Sequence, residues 1–377
     1  MRVMIASVAR FTQPSGICRY AANLALCLSQ QPAVTSVSLA VGAWQETYFR
    51  DLLGAGAKLD LIPIQIGSGS RGRNWWYWND LPQLASKLNC DVMHCSYPVP
   101  VRHAGFAGRT VVTVHDMYAF DFPENFGFPA VLFNRAFFRQ ALRASDGVVC
   151  DSRETLERLV HHFPRFTQKK KASVVPCSMD FDRAKTRQPA SLSWSMTSPF
   201  VLCVAQHRKN KNIDLVIKSF AALKSSDQKL ADFRLLIVGG VGPETAGLHQ
   251  LAASLLPDKS VVFTSGLASE ELAWLYEHCS LLAIPSSQEG FCYPLVEGMY
   301  FGARIVCSDI PILREIGSPA CLYFDLEAAP QALTDAMRRG LAAPQPDYGT
   351  TIERYSHGSV SKQQMEFYQE LGSKPTR

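Results

Sequence analysis

Short apolar runs rich in β-branched residues alternate along this chain with longer stretches whose apolar positions recur every three or four residues. The first kind reads as buried strands and the second as helices with one face turned to a core. In the first half the strand-like runs fall at residues 3–7, 36–41, 59–66, 92–94, 110–114, 147–150 and 173–175, and helical periodicity appears at 20–29, 82–88 and 130–144. In the second half they fall at 200–204, 233–238, 261–264, 281–284, 304–307 and 321–324, with helices at 213–223, 270–278 and 331–341 among them. Such alternation is what parallel sheets covered by helices require. Two series in one chain predict two α/β domains. The stretch 180–198 is polar, rich in serine and poor in strand-like runs, so the boundary falls there, giving domains over 1–180 and 199–357. A helix near 358–372 can pack back on the first domain. Open α/β sheets bind ligands beyond the carboxyl ends of their strands.

Composition narrows the class. At 377 residues the chain is long enough for two domains with separate cores. With 47% hydrophobic and 19% charged residues it has the make-up of a globular protein, not of a disordered one. A net charge of +5 suits anionic ligands or surfaces without calling for nucleic acid. No apolar run approaches the roughly 20 residues of a membrane-spanning helix. Residues 1–8 are strand-like and too short for a secretory signal. The 11 cysteines are scattered without a C-x-x-C pair, and Cys150, Cys203 and Cys307 sit inside apolar runs. Each is expected as a small core residue in a reducing cytoplasm.

The most telling chemistry lies in Ser286-Ser287-Gln288-Glu289-Gly290-Phe291-Cys292-Tyr293-Pro294-Leu295-Val296-Glu297-Gly298-Met299. A strand runs into a glycine-containing loop, and Pro294 suits a first helical turn, where its missing N–H has no intrahelical partner to lose. A short helix is expected over 295–301, with Gly302 as its stop. Such a junction turns backbone N–H groups and the positive helix end toward a ligand. Glu289 and Glu297 bracket it. Carboxylates accept hydrogen bonds, so they suit the hydroxyl donors of a sugar and a ribose, not a phosphate.

This segment resembles the E-x7-E element of the retaining glycosyltransferases of family 4, whose fold is called GT-B. The family text is close to P-S-x-x-E-G-F-G-x-P-x-x-E-A-M-x-x-G-x-P-V. Here Cys292 replaces a glycine, Gly298 replaces an alanine, and Ala303-Arg304 stand where Gly-Pro or similar is usual. The resemblance covers most of the chain. It implies an α/β fold of two Rossmann-like domains facing each other across a cleft, the first binding the acceptor and the second the nucleotide sugar.

Other landmarks arrive in the family's order. The loop Gln13-Pro14-Ser15-Gly16-Ile17-Cys18-Arg19-Tyr20 is similar to the family's G-I/V-x-R-Y loop, in which Gly16 would let the backbone approach the donor phosphate. His115-Asp116, at the end of the strand 110–114, resembles the His-Asp pair whose histidine reaches the donor sugar. A strand-end histidine that can donate or accept fits that role. His94 also ends a strand and ranks behind it as an acceptor-side residue. Residues 148–155 resemble a strand-to-helix Ser-x-x-Thr segment, for which Ser152 or Asp151 as a helix cap is account enough. In the basic run 206–212, Lys211-Asn212 matches the family's Lys, and Arg208 is the counterpart of its Arg. Cations and helix-end amides can stabilise a leaving diphosphate without a metal. Gly239, Gly266 and Leu267 end successive strands where the family binds the nucleotide base.

The resemblance implies transfer of a hexose from a nucleotide sugar to an acceptor hydroxyl with retention of configuration. GDP-mannose ranks slightly ahead of UDP-sugars as donor. His115, Glu289, Arg208 and Lys211 form the catalytic set. Glu289 would hold the sugar hydroxyls and Glu297 the ribose, with Gly290, Phe291, Cys292, Leu295 and Val296 completing the donor site. The glutamates are not cast as the acid and nucleophile of a glycosidase. No cofactor and no metal are expected, since the one Asp-x-Asp, Asp180-Phe181-Asp182, lies at the domain boundary.

Family members build lipopolysaccharide, exopolysaccharide and glycolipids, often on lipid-linked acceptors at the cytoplasmic membrane face. A saccharide acceptor, often lipid-linked, and a cytoplasmic chain resting peripherally on anionic membrane follow by analogy. Arg135, Arg139, Arg143, Arg153, Arg158, Arg165 and Lys169-Lys170-Lys171, with Phe133, Phe137 and Phe138 among them, would supply the contact. Against this, basic helix faces are usually solvated and aromatics usually core. The run Asn74-Trp75-Trp76-Tyr77-Trp78-Asn79 is read as core packing ahead of a lipid or sugar platform. Two other classes share the features: a nucleotide-sugar epimerase, which would need no acceptor, and a non-catalytic sugar-nucleotide binder. The combined presence of His115, Lys211, Glu289 and Glu297 speaks against the binder.

Overall fold

The computed structural model describes residues 1–10, 16–54, 58–102, 105–123, 128–180, 185–190, 192 and 198–372. The chain divides into two compact units, Met1–Asp180 with Arg354–Arg377, and Phe181–Glu353. In the stretch expected as the boundary, Arg187 is bonded into the second unit, its N–H donating to the Glu270 carbonyl at 3.0 Å. Residues 181 and 182 of the Asp-x-Asp lie outside the described residues.

The first unit is built on β1 (Arg2–Ser7), β2 (Ser36–Gly42), β3 (Leu59–Ile64), β4 (Val92–Cys95), β5 (Arg109–Val114), β6 (Gly147–Cys150) and β7 (Lys171–Val174). Their order in the sheet is β3-β2-β1-β4-β5-β6-β7, and every pairing is parallel. The second unit carries β8 (Phe200–Val204), β9 (Arg234–Val238), β10 (Val261–Thr264), β11 (Leu281–Ile284), β12 (Ile305–Ser308) and β13 (Leu322–Phe324). It is ordered β10-β9-β8-β11-β12-β13, again with parallel pairings. Helices cover such sheets on both faces, which is why β6 and β11 read as unbroken apolar runs and why β4 and β12, although they carry His94 and Ser308, are likewise buried throughout.

Strand positions follow the apolar runs closely. The first helix, Gly16–Ser29, begins four residues earlier than its periodicity suggests, because Cys18 and Tyr20 already turn inward. The aromatic run splits between two environments. Trp76 and Tyr77 enter the core, whereas Trp75 and Trp78, one helical turn apart, are 63% and 38% exposed. Likewise Phe138 is buried while Phe133 is exposed. Expecting core for all of these fails because a helix has two faces. The eleven cysteines are all free and buried. Among the described residues no helix is long and apolar enough to cross a membrane.

The C-terminal helix, His357–Glu370, belongs to the first unit. Gln31 donates to Ser361 at 2.6 Å, and Phe367 and Leu371 occupy the space that a side chain at Gly147 would need. In the second unit the helix Tyr293–Tyr300 carries Pro in its first turn. It ends in a Schellman arrangement: Gly302 N–H donates to the Met299 carbonyl and Ala303 N–H to that of Gly298, with Gly302 at φ +72°.

Two glycines of this unit should respond differently to substitution. A Cβ at Gly239 would lie 1.8 Å from the Ala205 carbonyl oxygen, a backbone atom that cannot yield. At Gly298 it would meet the end of the Leu282 side chain at 2.4 Å. Gly239→Ala is expected to lower unfolding free energy by about 3 kcal/mol, the upper part of the overpacking range. Gly298→Ala should change it by less than about 1 kcal/mol, since the helix gains about that much from alanine. Urea midpoints of the two variants test the ranking, and equal losses would refute it.

Candidate functional site

In the second unit the strand order reverses between β8 and β11, so the loops leaving their carboxyl ends diverge and leave a crevice there. Those loops carry the basic run and the first glutamate, and they are stitched together. Ser287 N–H donates to the Asn210 carbonyl at 2.9 Å. The Asn210 amide donates to the Gln288 carbonyl at 3.2 Å and the Asn212 amide to that of Pro285 at 2.9 Å. Asn212 can turn the chain here because it adopts the left-handed region, φ 47°, which asparagine tolerates best after glycine. The turn aims Lys211 across the crevice, where Nζ donates to both oxygens of Glu289 at 2.7 and 2.6 Å. Burial alone would depress the Lys211 pKa; the Glu289 carboxylate outweighs it and holds the ammonium above its usual range. Arg208, on the same loop, is exposed.

Beyond Glu289 the backbone makes an unusual turn. Cys292, the residue just before the helix Tyr293–Tyr300, sits at φ 79°, ψ 71°. Its place is a glycine in the motif that the segment resembles, and the structure shows why: the turn needs a left-handed residue. Burial first, and then Glu289, push the Cys292 thiol well up, so it stays neutral. In the first turn of the helix Pro294 has no N–H and the Leu295 N–H donates to the Cys292 carbonyl at 3.1 Å, while Phe291, Leu295 and Val296 bury their side chains. What Phe291 and Val296 can offer a ligand is therefore backbone. Glu297, one turn into the helix, is only 1% exposed.

Gly239 follows β9 and Gly266 follows β10, the latter at φ +70°, with Leu267 half-buried beside it. Sequence reasoning passed over His207, which is buried against these loops. Its Nδ1 pairs with the Thr245 hydroxyl at 2.9 Å, and burial followed by His249 lowers its pKa. Lying within a basic run, it looked like one more solvated cation.

His115 and Gly16 lie in the first unit. The register pairs Val114 of β5 with Cys150 of β6, so the next residues, His115 and Asp151, leave the sheet side by side. His115 Nδ1 bonds to Asp151 Oδ2, and Nε2 lies 2.7 Å from the carbonyl oxygen of Ser96, the residue after β4. Ser152 caps the helix Arg153–His162, accepting from Thr155 N–H, as expected of one of the two candidates. Asp151 does not cap; it faces the histidine. The Thr155 hydroxyl reaches back to the His115 carbonyl at 3.2 Å, so the Ser-x-x-Thr segment braces the histidine strand. Tyr20, from the helix that Gly16 begins, lies edge-on to the His115 ring at 4.8 Å.

His94 is not at a surface. It is fully buried, with Nδ1 2.6 Å from the Tyr368 hydroxyl and Nε2 2.7 Å from that of Thr113. Burial and then His115 lower its pKa to about 3. An acceptor-side role for it is replaced by a structural one.

Comparison with known proteins finds a glycosyltransferase family model for each unit. A family model described as Glycosyltransferase Family 4 matches residues 14–183, and one described as Glycosyl transferases group 1 matches residues 184–347. An O-antigen chain mannosyltransferase, RfbU of Salmonella typhimurium, is 26% identical over 66% of this chain and 64% of its own length. The match thus spans somewhat less than two thirds of that relative. Sucrose-phosphate synthase from Thermosynechococcus elongatus shares the fold over 98% of both chains, with TM-score 0.72 and 18% identity. Anabaena HepE, solved in complex with UDP and glucose, does so over 98% of this chain and all of its own, with TM-score 0.68 and 17% identity.

The left-handed Cys292 yields a stability test. A non-glycine residue in that region is strained by roughly 1–2 kcal/mol, part of which glycine gives back as unfolded-state entropy. Cys292→Gly is therefore expected to be more stable than Cys292→Ala by about 1 kcal/mol in denaturant titration. An alanine variant as stable as the glycine one would show that the backbone carries no strain there.

Proposed function

Since the chain belongs to the glycosyltransferases of family 4, we propose that it is a retaining mannosyltransferase using GDP-mannose, acting on a saccharide acceptor in cell-surface polysaccharide synthesis. The observation that carries the reading is the Lys211–Glu289 pair at the crevice of the second sheet, with Glu297 one helical turn further on. An ammonium has three N–H donors. Two go to Glu289, and the third is available to a diphosphate oxygen. Each Glu289 oxygen keeps lone-pair capacity for a sugar hydroxyl. Glu297 takes the ribose hydroxyls, and Arg208 adds a second cation at the phosphates. The relative named as an O-antigen chain mannosyltransferase supports the choice of sugar and product class.

In the proposed reaction the acceptor oxygen bonds to the anomeric carbon as that carbon's bond to the diphosphate oxygen breaks. The acceptor proton passes to the departing phosphate on the same face, so no protein base is needed. Lys211 and Arg208 hold the charge that develops on the leaving group, and no metal enters the scheme. Exposed Arg139 and Arg143 on the helix Ala130–Ala144, which also carries exposed Leu132 and Phe133 in its first turn, support an acceptor carried on an anionic cytoplasmic membrane surface.

Thermal-shift measurement against GDP, UDP, ADP and dTDP and their sugar conjugates tests the donor. GDP-mannose should stabilise most, by up to about 2.7 kcal/mol at a hundredfold excess over its Kd; preference for a UDP-sugar would overturn the assignment. Glu289→Ala should lose about 10²- to 10³-fold in transfer rate while staying folded. Lys211→Ala should weaken GDP binding more than guanosine binding. Equal losses for the two ligands would remove Lys211 from the diphosphate site.

A further inference from the structure

Asp151 takes no part in the donor site, yet it is one of the most enclosed acids in the first unit, 2% exposed. Its Oδ2 takes the His115 Nδ1 contact. Its Oδ1 is buried without a hydrogen-bond partner among the described residues. On the other side of the ring, Nε2 faces the Ser96 carbonyl at 2.7 Å. A carbonyl oxygen and a carboxylate can only accept, so both ring nitrogens must carry hydrogen for both bonds to form. An imidazole with two N–H groups is a cation.

We propose that Asp151 is a positioning residue that fixes His115 as an imidazolium, so that His115 meets its substrate as a cationic hydrogen-bond donor and not as a base. Its Nε2–H is then shared between the Ser96 carbonyl and a ligand oxygen. The inference rests on the reading of His115 as a residue of the transfer site. It goes beyond that reading in naming the charge state and the group that sets it.

The surroundings agree. Burial would depress the His115 pKa, but Asp151, by charge and hydrogen bond, then the Ser96 carbonyl and Asp116, raise it above the usual value. The other titratable groups facing the ring are Tyr20 and His94. The Tyr20 hydroxyl is pushed well up by burial, and His94 is held down to about 3, so both are neutral near pH 7. Asp116 has its pKa raised, again by burial first, and its Oδ1 accepts from the Tyr118 N–H at 3.0 Å. That leaves Asp151 as the carboxylate in direct contact.

The test follows the His115 ring in full-length, ligand-free protein with isotope-labelled histidine, its signal assigned by loss in His115→Gln. In the unaltered chain the ring should remain doubly protonated to above pH 6.5, the ordinary histidine value. In Asp151→Asn, which keeps the shape and an acceptor but removes the charge, it should titrate at least one unit lower. Transfer by that variant should fall away from about pH 6 upward and recover on acidification, with KM for the donor little changed. A purely structural Asp151 would instead lower stability without moving the pH profile. The sign is fixed by linkage: with a raised native pKa, the pair stabilises fully below about pH 6.5 and loses that contribution as pH rises through the native value. A ring found neutral at pH 7 in the unaltered chain, or an unmoved titration in Asp151→Asn, would overturn the inference. The first of these readings does not depend on Asp151→Asn folding. The titration also uses no substrate, so absence of transfer with every nucleotide sugar would sink the proposed function and leave the Asp151–His115 pairing standing.

Discussion

Parallel pairing is the constraint on which the rest of this protein depends. Strands that run the same way end at the same edge, so every strand-to-helix loop of a sheet is delivered there. Register then decides which residues are neighbours. In the second unit this brings the loops after β8 and β11 together where the sheet order reverses. In the first it sets Ser96, His115 and Asp151 beyond three adjacent strands. Neither cluster is continuous in sequence; each is a product of strand order.

Around the second unit's crevice, charge and backbone geometry support one another. A half-buried ammonium is tolerated because Glu289 faces it with both oxygens, and removing either partner would strand the other in a poorly hydrated place. Glu289 is held by a loop whose carbonyls and amides are bonded to the opposite loop. The left-handed Cys292 is the local strain that goes with this arrangement. Strain of that kind persists only where neighbouring structure over-determines it, and here a buried side chain on a proline-started helix does so.

The first unit solves a different problem, that of polar groups inside a core. Tyr368, His94, Thr113 and Tyr20 form a continuous buried chain of hydrogen bonds, each 2.6 to 2.7 Å long. Every bond in it can be made with His94 neutral, which removes the desolvation penalty of a buried charge. The chain starts on the C-terminal helix and ends on Tyr20, whose ring abuts His115. Thus the returning segment 354–372 is part of what holds the histidine's surroundings in place. A fully satisfied network of this sort specifies one arrangement more sharply than apolar contact alone.

Much of this was legible without coordinates. Apolar runs located the strands because buried parallel strands are apolar on both faces, and the order of motifs identified the family. Pro294 and Gly302 marked the ends of their helix because each acts through its own backbone, locally. What the sequence alone left open depends on contacts between distant segments. His94 and His115 both end strands and read alike, yet one is locked in the core and the other lies at the strand edge. Asp151 looked like a cap candidate, and only the β5–β6 register made it the partner of His115. Trp75 and Trp76 are neighbours of the same chemistry, yet one is exposed and the other buried. Local propensity and motif spacing are written in the chain itself; which charge faces which is decided by register and packing, because those bring together residues that the sequence keeps far apart.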